Sequence, residues 1–552
     1  MRSILYGILC WFGLVCLATA AAAPVAAESK VDVENPIVSE LIAHLVVDIY
    51  EDWAEDLDWQ RLRDFYLSKK FKPIWLDGDV ASERARLWRD TLLRAGDEGL
   101  NPLEYHVTAI RYLWNAKRDV SRARLELLLT DAFFRYVIEA RVGYQYPRLV
   151  DNEWYINPPT VKPLEVLEQV LGSQDIQAAL DLIPPQHGGY QRLRTALARY
   201  RATLTVKGEW ITIPPGPHLK LGSWGDQIVM VRRRLLHEGY PISSRPQDEK
   251  LFDRDMEQAV KLFQRHTGEN PDGIVGPKTR YAMNLSLTDR IDQIAQNMER
   301  WRWLPHDMGS RYVMVNMAGY RLYVIEKNKS VFDMPVIIGK PYRATPAFAD
   351  KIEYLEFNPT WSVPPRIARE EFLPKMIKDA NFLKANNIRI LENWGEDAAE
   401  IDPTAVDWAE MDPEDIGFKF EQMAGDHNSL GRVKFMFPNS FRVYLHDTPI
   451  RRLFFQNVRT FSSGCIRVSR PVSLATYLLG GRENGWSNRE VRKLISRSET
   501  QRVNLPTKIP IYLLYWTAWV DDGDIVQFRR DIYNRDNKIT TIAGGEFSGD
   551  NS

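Results

Sequence analysis

Cysteine is almost missing from this chain. Of 552 residues only Cys10, Cys16 and Cys465 carry a thiol. Cys10 and Cys16 lie in an apolar N-terminal run, and neither follows the Gly or Ala expected just before a lipidated cysteine, which argues against a lipoprotein. An imbalance of charge is lacking too. With 72 Lys and Arg against 73 Asp and Glu, the formal net charge is -1, which gives no support for nucleic acid as a partner. No segment after the N-terminus is long and apolar enough to span a bilayer, and no internal repeat or long low-complexity tract is present. Clustered His, Cys and Asp at metal-ligand spacing are also lacking. His237-Glu238 has no second histidine at helical spacing, so no metal or other cofactor is expected.

What is present is ordinary for a folded protein: 44% apolar and 26% charged residues, too long a chain for one core and enough for about two to four domains. The N-terminus stands apart. Arg2, the apolar run Ile4 to Leu17 and the small-residue stretch Ala18 to Ala27 have the layout of a secretory signal peptide, assigned to 1–27. An uncleaved anchor is the alternative, though the apolar run is short for a span. Once it is removed, Cys465 is the sole thiol and cannot form an internal disulfide. A free thiol in an oxidising compartment is exposed to oxidation and mispairing, so its presence suggests that chemistry requires it.

Residues 28–212 read as helices. Leu125 to Ile138 and Tyr190 to Leu204 repeat apolar residues at three and four, the period of an amphipathic helix. They hold no catalytic constellation and read as a scaffold. Ile213-Pro-Pro-Gly-Pro217 is a stiff linker. A compact unit, 218–288, follows: Ile228, Val231 and Leu235 mark one helix face, Met256, Ala259, Val260 and Phe263 a second, and Pro277 opens a third after the turn Asp272 to Thr279. Three short helices around this Asp-Gly-x-x-Gly-Pro-x-Thr turn resemble the peptidoglycan-binding domain of wall enzymes.

From residue 310 to 535 the period becomes two. Arg311 to Met317, Arg321 to Ile325, Val331 to Ile338, Val433 to Phe437, Phe441 to Leu445 and part of Ile509 to Val520 read as strands, with Lys327 to Ser330 as a hairpin turn. The pattern breaks over 349–429, which holds Asn358-Pro-Thr-Trp-Ser-Val-Pro-Pro365 and then a helical, acidic segment. An insertion this long is read as a lid, or else as an elaboration packed away from the site. Residues 536–552 read as a flexible tail.

The densest motif is Leu445-His-Asp-Thr-Pro449 followed by Arg459-Thr-Phe-Ser-Ser-Gly-Cys-Ile-Arg-Val468. Alternation puts Arg442, Tyr444 and His446 on one strand face. Ser462-Ser463-Gly464 lets the backbone turn sharply before Cys465, and a helix from Val472 to Leu479 comes soon after. A thiol near a helix N-terminus and a histidine has its thiolate favoured. Cys465 is then the nucleophile and His446 the base. The Asp447 carbonyl and the Asp447 carboxylate compete to orient the imidazole. Backbone N–H groups of Gly464 and Cys465 are candidates for an oxyanion hole. Arg467 either holds a substrate carboxylate or makes an ordinary ion pair. Tyr444, Trp361 and Ser462 complete the expected substrate contacts.

These residues resemble the L,D-transpeptidase family, whose YkuD-type catalytic domain carries a histidine, a gap, then Ser-His-Gly-Cys and an apolar residue. Ser463 departs from this, standing where many members have a second histidine. Ser462-Ser-Gly-Cys-Ile466, together with Glu299-Arg-Trp-Arg-Trp-Leu-Pro305, Gly431-Arg-Val-Lys-Phe435 and His446-Asp-Thr-Pro449, resembles instead a large periplasmic branch. The resemblance implies a multidomain α+β protein with a helical scaffold, a three-helix peptidoglycan-binding domain and a β-rich catalytic domain with a capping insertion. It implies a periplasmic enzyme that joins peptidoglycan stem peptides, from a tetrapeptide donor to a diamino-acid acceptor, and that carbapenems inhibit. Hydrolysis by an L,D-carboxypeptidase, or attachment of wall proteins, remains open on the same dyad. A zinc peptidase and a non-catalytic wall binder fit the sequence less well.

Overall fold

The computed structural model describes residues 31–46, 56–395, 397–414 and 416–539. The expected signal peptide, and residues 540–552 of the expected tail, lie outside them. None of the described helices is long and apolar enough to cross a membrane. The chain is mixed α/β and divides into two compact units, 1–86 with 108–131, and 87–107 with 132–552.

In the first unit the carboxylate of Glu126 is fully buried. It accepts hydrogen bonds from the Ile74 and Trp75 backbone N–H groups at 2.5 and 3.0 Å and from the Tyr66 hydroxyl at 2.9 Å. Desolvation raises its pKa to about 7. Such a group is tolerated inside only because its lone pairs are met.

The helix α1 (Asp119–Val142) is divided between the two units, its residues from 132 onward belonging to the second, which also holds α2 (Gly188–Lys207). The helical stretch therefore does not form one separate body. Tyr190, Leu193 and Leu197 of α2 share a hydrophobic core with the later sheet, which is why the division falls inside the region expected to be a single scaffold. Next come α3 (Asp226–Glu238), α4 (Arg254–His266) and α5 (Pro277–Asn284). Ile228, Val231, Leu235, Met256, Ala259, Val260 and Phe263 close a small core of their own. The turn before α5 is held by Gln264, which donates to Asp272 Oδ1 at 2.9 Å and accepts from the Gly273 N–H at 2.9 Å. Pro277 takes the first position of α5, where its missing N–H costs nothing.

The long connector α6 (Leu287–Arg302) starts with a capping box between Ser286 and Asp289. At its end Glu299 and Arg302, both wholly buried, pair at 2.8 Å. Glu299 also accepts from the Gln145 N–H and the Trp303 indole, and Arg302 donates to the Tyr190 hydroxyl at 3.0 Å and to the Glu98 carbonyl. Arg300 pairs with Asp536 at 2.7 Å. Asp536 and Ile539 are therefore packed, and the expected flexible tail is ordered at its start because a buried arginine needs its carboxylate.

The main sheet is built on β1 (Arg311–Asn316), β2 (Arg321–Glu326), β3 (Lys329–Gly339), β4 (Phe348–Phe357), β9 (Val433–Met436), β10 (Leu445–His446), β11 (Thr460–Ser462), β12 (Ile466–Val468) and β13 (Gln501–Leu514). Their order is β11-β3-β12-β10-β9-β4-β13-β1-β2, and β2 pairs back with β3, so the ladder closes on itself. Lys327 and Asn328, both at positive φ, make the hairpin turn between β2 and β3. α7 (Pro471–Leu478) and α8 (Asn488–Ile495) pack beside it, and a two-stranded ladder, β14 (Ala518–Val520) with β15 (Val526–Phe528), closes the domain.

The insertion differs from expectation at its start and in its make-up. Phe348–Phe357 is a full strand of the main sheet, paired to β9 and β13. A register shift opposite Asn504 to Ile509 breaks its alternation, so Ile352, Leu355 and Phe357 point inward with irregular spacing and the pattern is hidden in the sequence. The insertion itself is not simply helical. It has a four-stranded sheet, β5 (Trp361–Ser362), β6 (Ile388–Leu391), β7 (Glu400–Ile401) and β8 (Lys419–Gln422), in the order β5-β8-β6-β7, and a core of its own around Phe372, Leu373, Ile390 and Phe420. Asn358 at its entry donates to the carbonyls of Leu494, Ile495 and Glu499, and Asn428 at its exit to those of Pro359, Gln422 and Met423.

Removing one member of a buried ion pair leaves the other charged and dry, at a cost of about 3 kcal/mol or more. Glu299→Ala should therefore lower the urea midpoint of unfolding well below that of the wild type. An unchanged midpoint would show that Arg302 is adequately served by Glu98 and Tyr190 alone.

Candidate active site

β10 and β12 run parallel, with Leu445 opposite Ile466 and His446 opposite Arg467. Side chains alternate across a strand, so Leu445 and Ile466 turn into the core, where both are wholly buried. Each such side chain stabilises the fold by about 1.5–3 kcal/mol. Tyr444, His446, Cys465 and Arg467 are left together on the opposite face. The next strand adds Lys434, opposite His446, and β4 adds Glu356, opposite Lys434. Arg442 does not join this face. It sits at φ +56° in a turn, so the alternation read from the sequence holds only from Tyr444 onward.

His446 is buried. Its Nδ1 lies 2.5 Å from the Asp447 carbonyl oxygen. A carbonyl can only accept, so Nδ1 carries the proton and Nε2 keeps its lone pair. The Asp447 carboxylate is engaged elsewhere, accepting from the Arg432 and Thr448 N–H groups and from Arg451. Of the two possible orienters, the backbone carbonyl has the contact. Gly431, at φ +64°, lets the Asp447 side chain lie where any Cβ would come within 2.5 Å of it. Burial, followed by the charge of Arg467, lowers the His446 pKa to about 3, so the imidazole is neutral at rest.

Cys465 is partly exposed, yet so closely surrounded that desolvation raises its thiol above the ordinary range. The Tyr444 contacts, Lys434 and Arg467 pull the other way. The sulfur donates to the Arg442 carbonyl oxygen at 3.7 Å, not to His446; catalytic hydrogen bonds often tighten only once substrate is bound. The strand β12 separates Cys465 from α7, so the expected helix-terminus assistance to the thiolate is not built into this chain. The Tyr444 hydroxyl lies within reach of both the Cys465 thiol and the Trp361 indole, and the Lys434 ammonium sits 4.5 Å from the Tyr444 ring centre.

The loop before the thiol is tied internally. Ser462 Oγ donates to the Cys465 carbonyl at 2.5 Å and accepts the Gly464 N–H at 3.2 Å. This occupies one of the two N–H groups expected to form an oxyanion hole. Gly464 is at φ +121°, a backbone state that L side chains rarely adopt, and Thr345 donates to its carbonyl at 2.8 Å. Ser463 is exposed, and its hydroxyl accepts from Arg343 at 2.6 Å. Arg343 also pairs with Glu371 at 2.9 Å and with Glu370, both on a widened helical turn of the insertion. Arg467 Nε is buried with no partner among the described residues, which disfavours reading Arg467 as an ordinary, fully engaged ion pair.

Sequence reasoning missed Arg343, Lys434 and the Glu370-Glu371 pair. Arg343 and the acidic pair stand far from the motif in sequence. Lys434 was within reach, since it alternates on a strand already recognised.

Residues 310–488 match the L,D-transpeptidase catalytic domain. The chain carries an L,D-transpeptidase catalytic domain. Residues 225–283 match a "Putative peptidoglycan binding domain" and residues 60–197 a "Scaffold domain". A "Putative L,D-transpeptidase" of Haemophilus influenzae is 35% identical over 247 residues, which is 45% of this chain and 48% of that protein; the chain thus spans about half the length of this curated relative. Among solved structures, the L,D-transpeptidase (residues 123–326) of Xylanimonas cellulosilytica is 15% identical with a TM-score of 0.16, covering 55% of this chain and 100% of that one. An L,D-transpeptidase of Stackebrandtia nassauensis is 14% identical with a TM-score of 0.20, covering 55% and 96%.

A thiol raised by burial, beside a neutral imidazole, should alkylate slowly at neutral pH. Its reaction with iodoacetamide, followed by intact mass, should accelerate as pH climbs past the ordinary thiol value of about 8.5. A rate that has already levelled off below pH 7 would reveal a preformed thiolate.

Proposed function

We propose that this chain is a peptidoglycan L,D-transpeptidase, acting outside the cytoplasm, that forms 3-3 crosslinks through a thioester on Cys465. The observation that carries the reading is the shared face of Cys465, His446, Tyr444 and Arg467 within a matched L,D-transpeptidase catalytic domain. The Cys465 sulfur attacks the carbonyl of the third residue of a donor tetrapeptide, and its proton passes to His446 Nε2. As the thiolate forms, its negative charge favours the imidazolium that the resting site disfavours. His446 then returns the proton to the departing D-alanine amine. A side-chain amine of a second stem attacks the thioester and gives its proton to His446, which passes it to the departing sulfur, so that the thiol and the neutral imidazole are restored. One amide replaces another, so no external energy source is required.

Arg467, with its unengaged Nε, is suited to a substrate carboxylate, and Lys434 adds positive charge. With Gly464 N–H already engaged, the Tyr444 hydroxyl is the better placed donor toward the developing oxyanion. Water in place of the acceptor amine would give L,D-carboxypeptidase chemistry on the same groups. The balance depends on how well the site is covered. Trp361 reaches Tyr444, and Arg343 clasps Glu370 and Glu371 to the loop of the nucleophile, which supports the lid reading of the insertion.

Cys465→Ala should fold and abolish 3-3 dimers in digested sacculi, together with the single covalent adduct that a carbapenem forms on the wild type. Dimers, or an equal adduct, on the variant would remove Cys465 from the mechanism. Arg343→Ala should leave adduct formation nearly intact but raise the ratio of hydrolysed tripeptide to crosslinked dimer several-fold. An unchanged ratio in a folded variant would mean that the clasp does not govern access of water.

A further inference from the structure

A second concavity, sharing no residue with the Cys465 site, lies within the larger unit. It encloses about 400 Å³, within the range of ligand pockets. Its walls are aromatic: Trp301 from the end of α6, Trp516 just after β13, Trp519 on β14 and Phe332 on β3 all line it. Trp301 and Trp516 stack with ring centres 4.3 Å apart at 23°. They are only 6% and 3% exposed, yet the indole N–H of each is buried with no acceptor among the described residues. Buried indole donors nearly always have a partner, and both of these rings line the same cavity.

The cavity's shape is specific. Gly189, in the first turn of α2, lies so close to Trp301 that a Cβ there would come within 2.2 Å of its ring. The His187 ring also lies against Trp301, with centres 5.2 Å apart, and burial keeps this imidazole below its ordinary pKa. The ionisable side chains of the lining are Asp333, Asp521 and Asp522 against Arg192 and this histidine. Asp333 is paired with Arg321, so Asp521 and Asp522 stand against Arg192 and the cavity offers little net positive charge to the free carboxylates of a stem peptide. Flat aromatic faces, donors awaiting a carbonyl and acceptors for hydroxyl groups together suit a neutral N-acetylated sugar. Its C–H faces would lie on the rings and its acetamido carbonyl would receive an indole N–H.

We propose that this cavity binds the glycan strand of the wall, as a saccharide site separate from both the thiol and the three-helix unit. The site would hold the polymer while the stem peptides react, but its binding does not depend on the transfer chemistry proposed above.

The test uses the full chain and tetra-N-acetylchitotetraose as probe. Calorimetry should detect binding to the wild type, weakened up to about tenfold in Trp519→Ala, the size expected for losing one aromatic face. In spectra of the ¹⁵N-indole-labelled wild type, the Trp301 and Trp516 N–H signals, assigned by single Trp→Phe substitutions, should move on titration. This readout holds even if Trp519→Ala fails to fold. Carbapenem acylation of Cys465, measured on the same samples, should be equal in both proteins, which separates failure of this site from failure of the catalytic reading. No binding, equal binding by wild type and a folded Trp519→Ala, or binding that leaves both indole signals in place would overturn the proposal. So would preferential movement of those signals by a free stem tetrapeptide.

Discussion

The active-site geometry depends on the two-residue parallel pairing of β10 with β12. The deep burial of Leu445 and Ile466 fixes that register. A slip of β12 by one residue would send Ile466 toward the site and turn the thiol inward. Core packing on one face of the sheet therefore determines the chemistry on the other. The two strands are among the shortest in the domain; the histidine ends β10 and the nucleophile immediately precedes β12.

The electrostatics follow from the same arrangement. Lys434, His446 and Arg467 lie side by side on adjacent strands. Burial, helped by the charges of Arg467 and Lys434, keeps the imidazole neutral, and the Asp447 carbonyl fixes which nitrogen bears the proton. The surrounding protein disfavours a resting thiolate, while Tyr444, Lys434 and Arg467 favour it. A site poised this way limits loss of a lone thiol to oxidants until a substrate brings the reacting groups together.

Two buried arginines perform a structural role in the larger unit. Arg302 joins the end of α6 to Tyr190 and Glu98, and Arg300 holds Asp536. The helical residues of α2 and α6 and the sheet thus share one core. The aromatic cavity lies where α2, α6 and the sheet meet, so it exists only because those elements are packed as one body. The capping insertion is a different case. It has its own core and is fixed at its entry and exit by Asn358 and Asn428, so its approach to the nucleophile loop rests on polar contacts such as the Arg343 clasp.

Much of this was legible in the sequence. The single thiol after Ser462-Ser-Gly464, the histidine on a strand, the helical periods of α1 to α4 and most strands follow from local patterns, because burial on one side of a regular element imposes a period. The strand Phe348–Phe357 was hidden because a bulge in its partner disturbs that period. The sheet within the insertion was hidden because its strands are two to four residues long, too short to establish one. Arg442 was misplaced because a left-handed turn interrupts the alternation. Which atom orients His446, which N–H is already engaged and which cations surround the thiol were decided only by the tertiary structure. Those contacts join residues as far as 120 positions apart, such as Arg343 and Ser463, and no local period records them. The sequence by itself determined which groups could react; the closed ladder decided which of them meet, and in what state of charge.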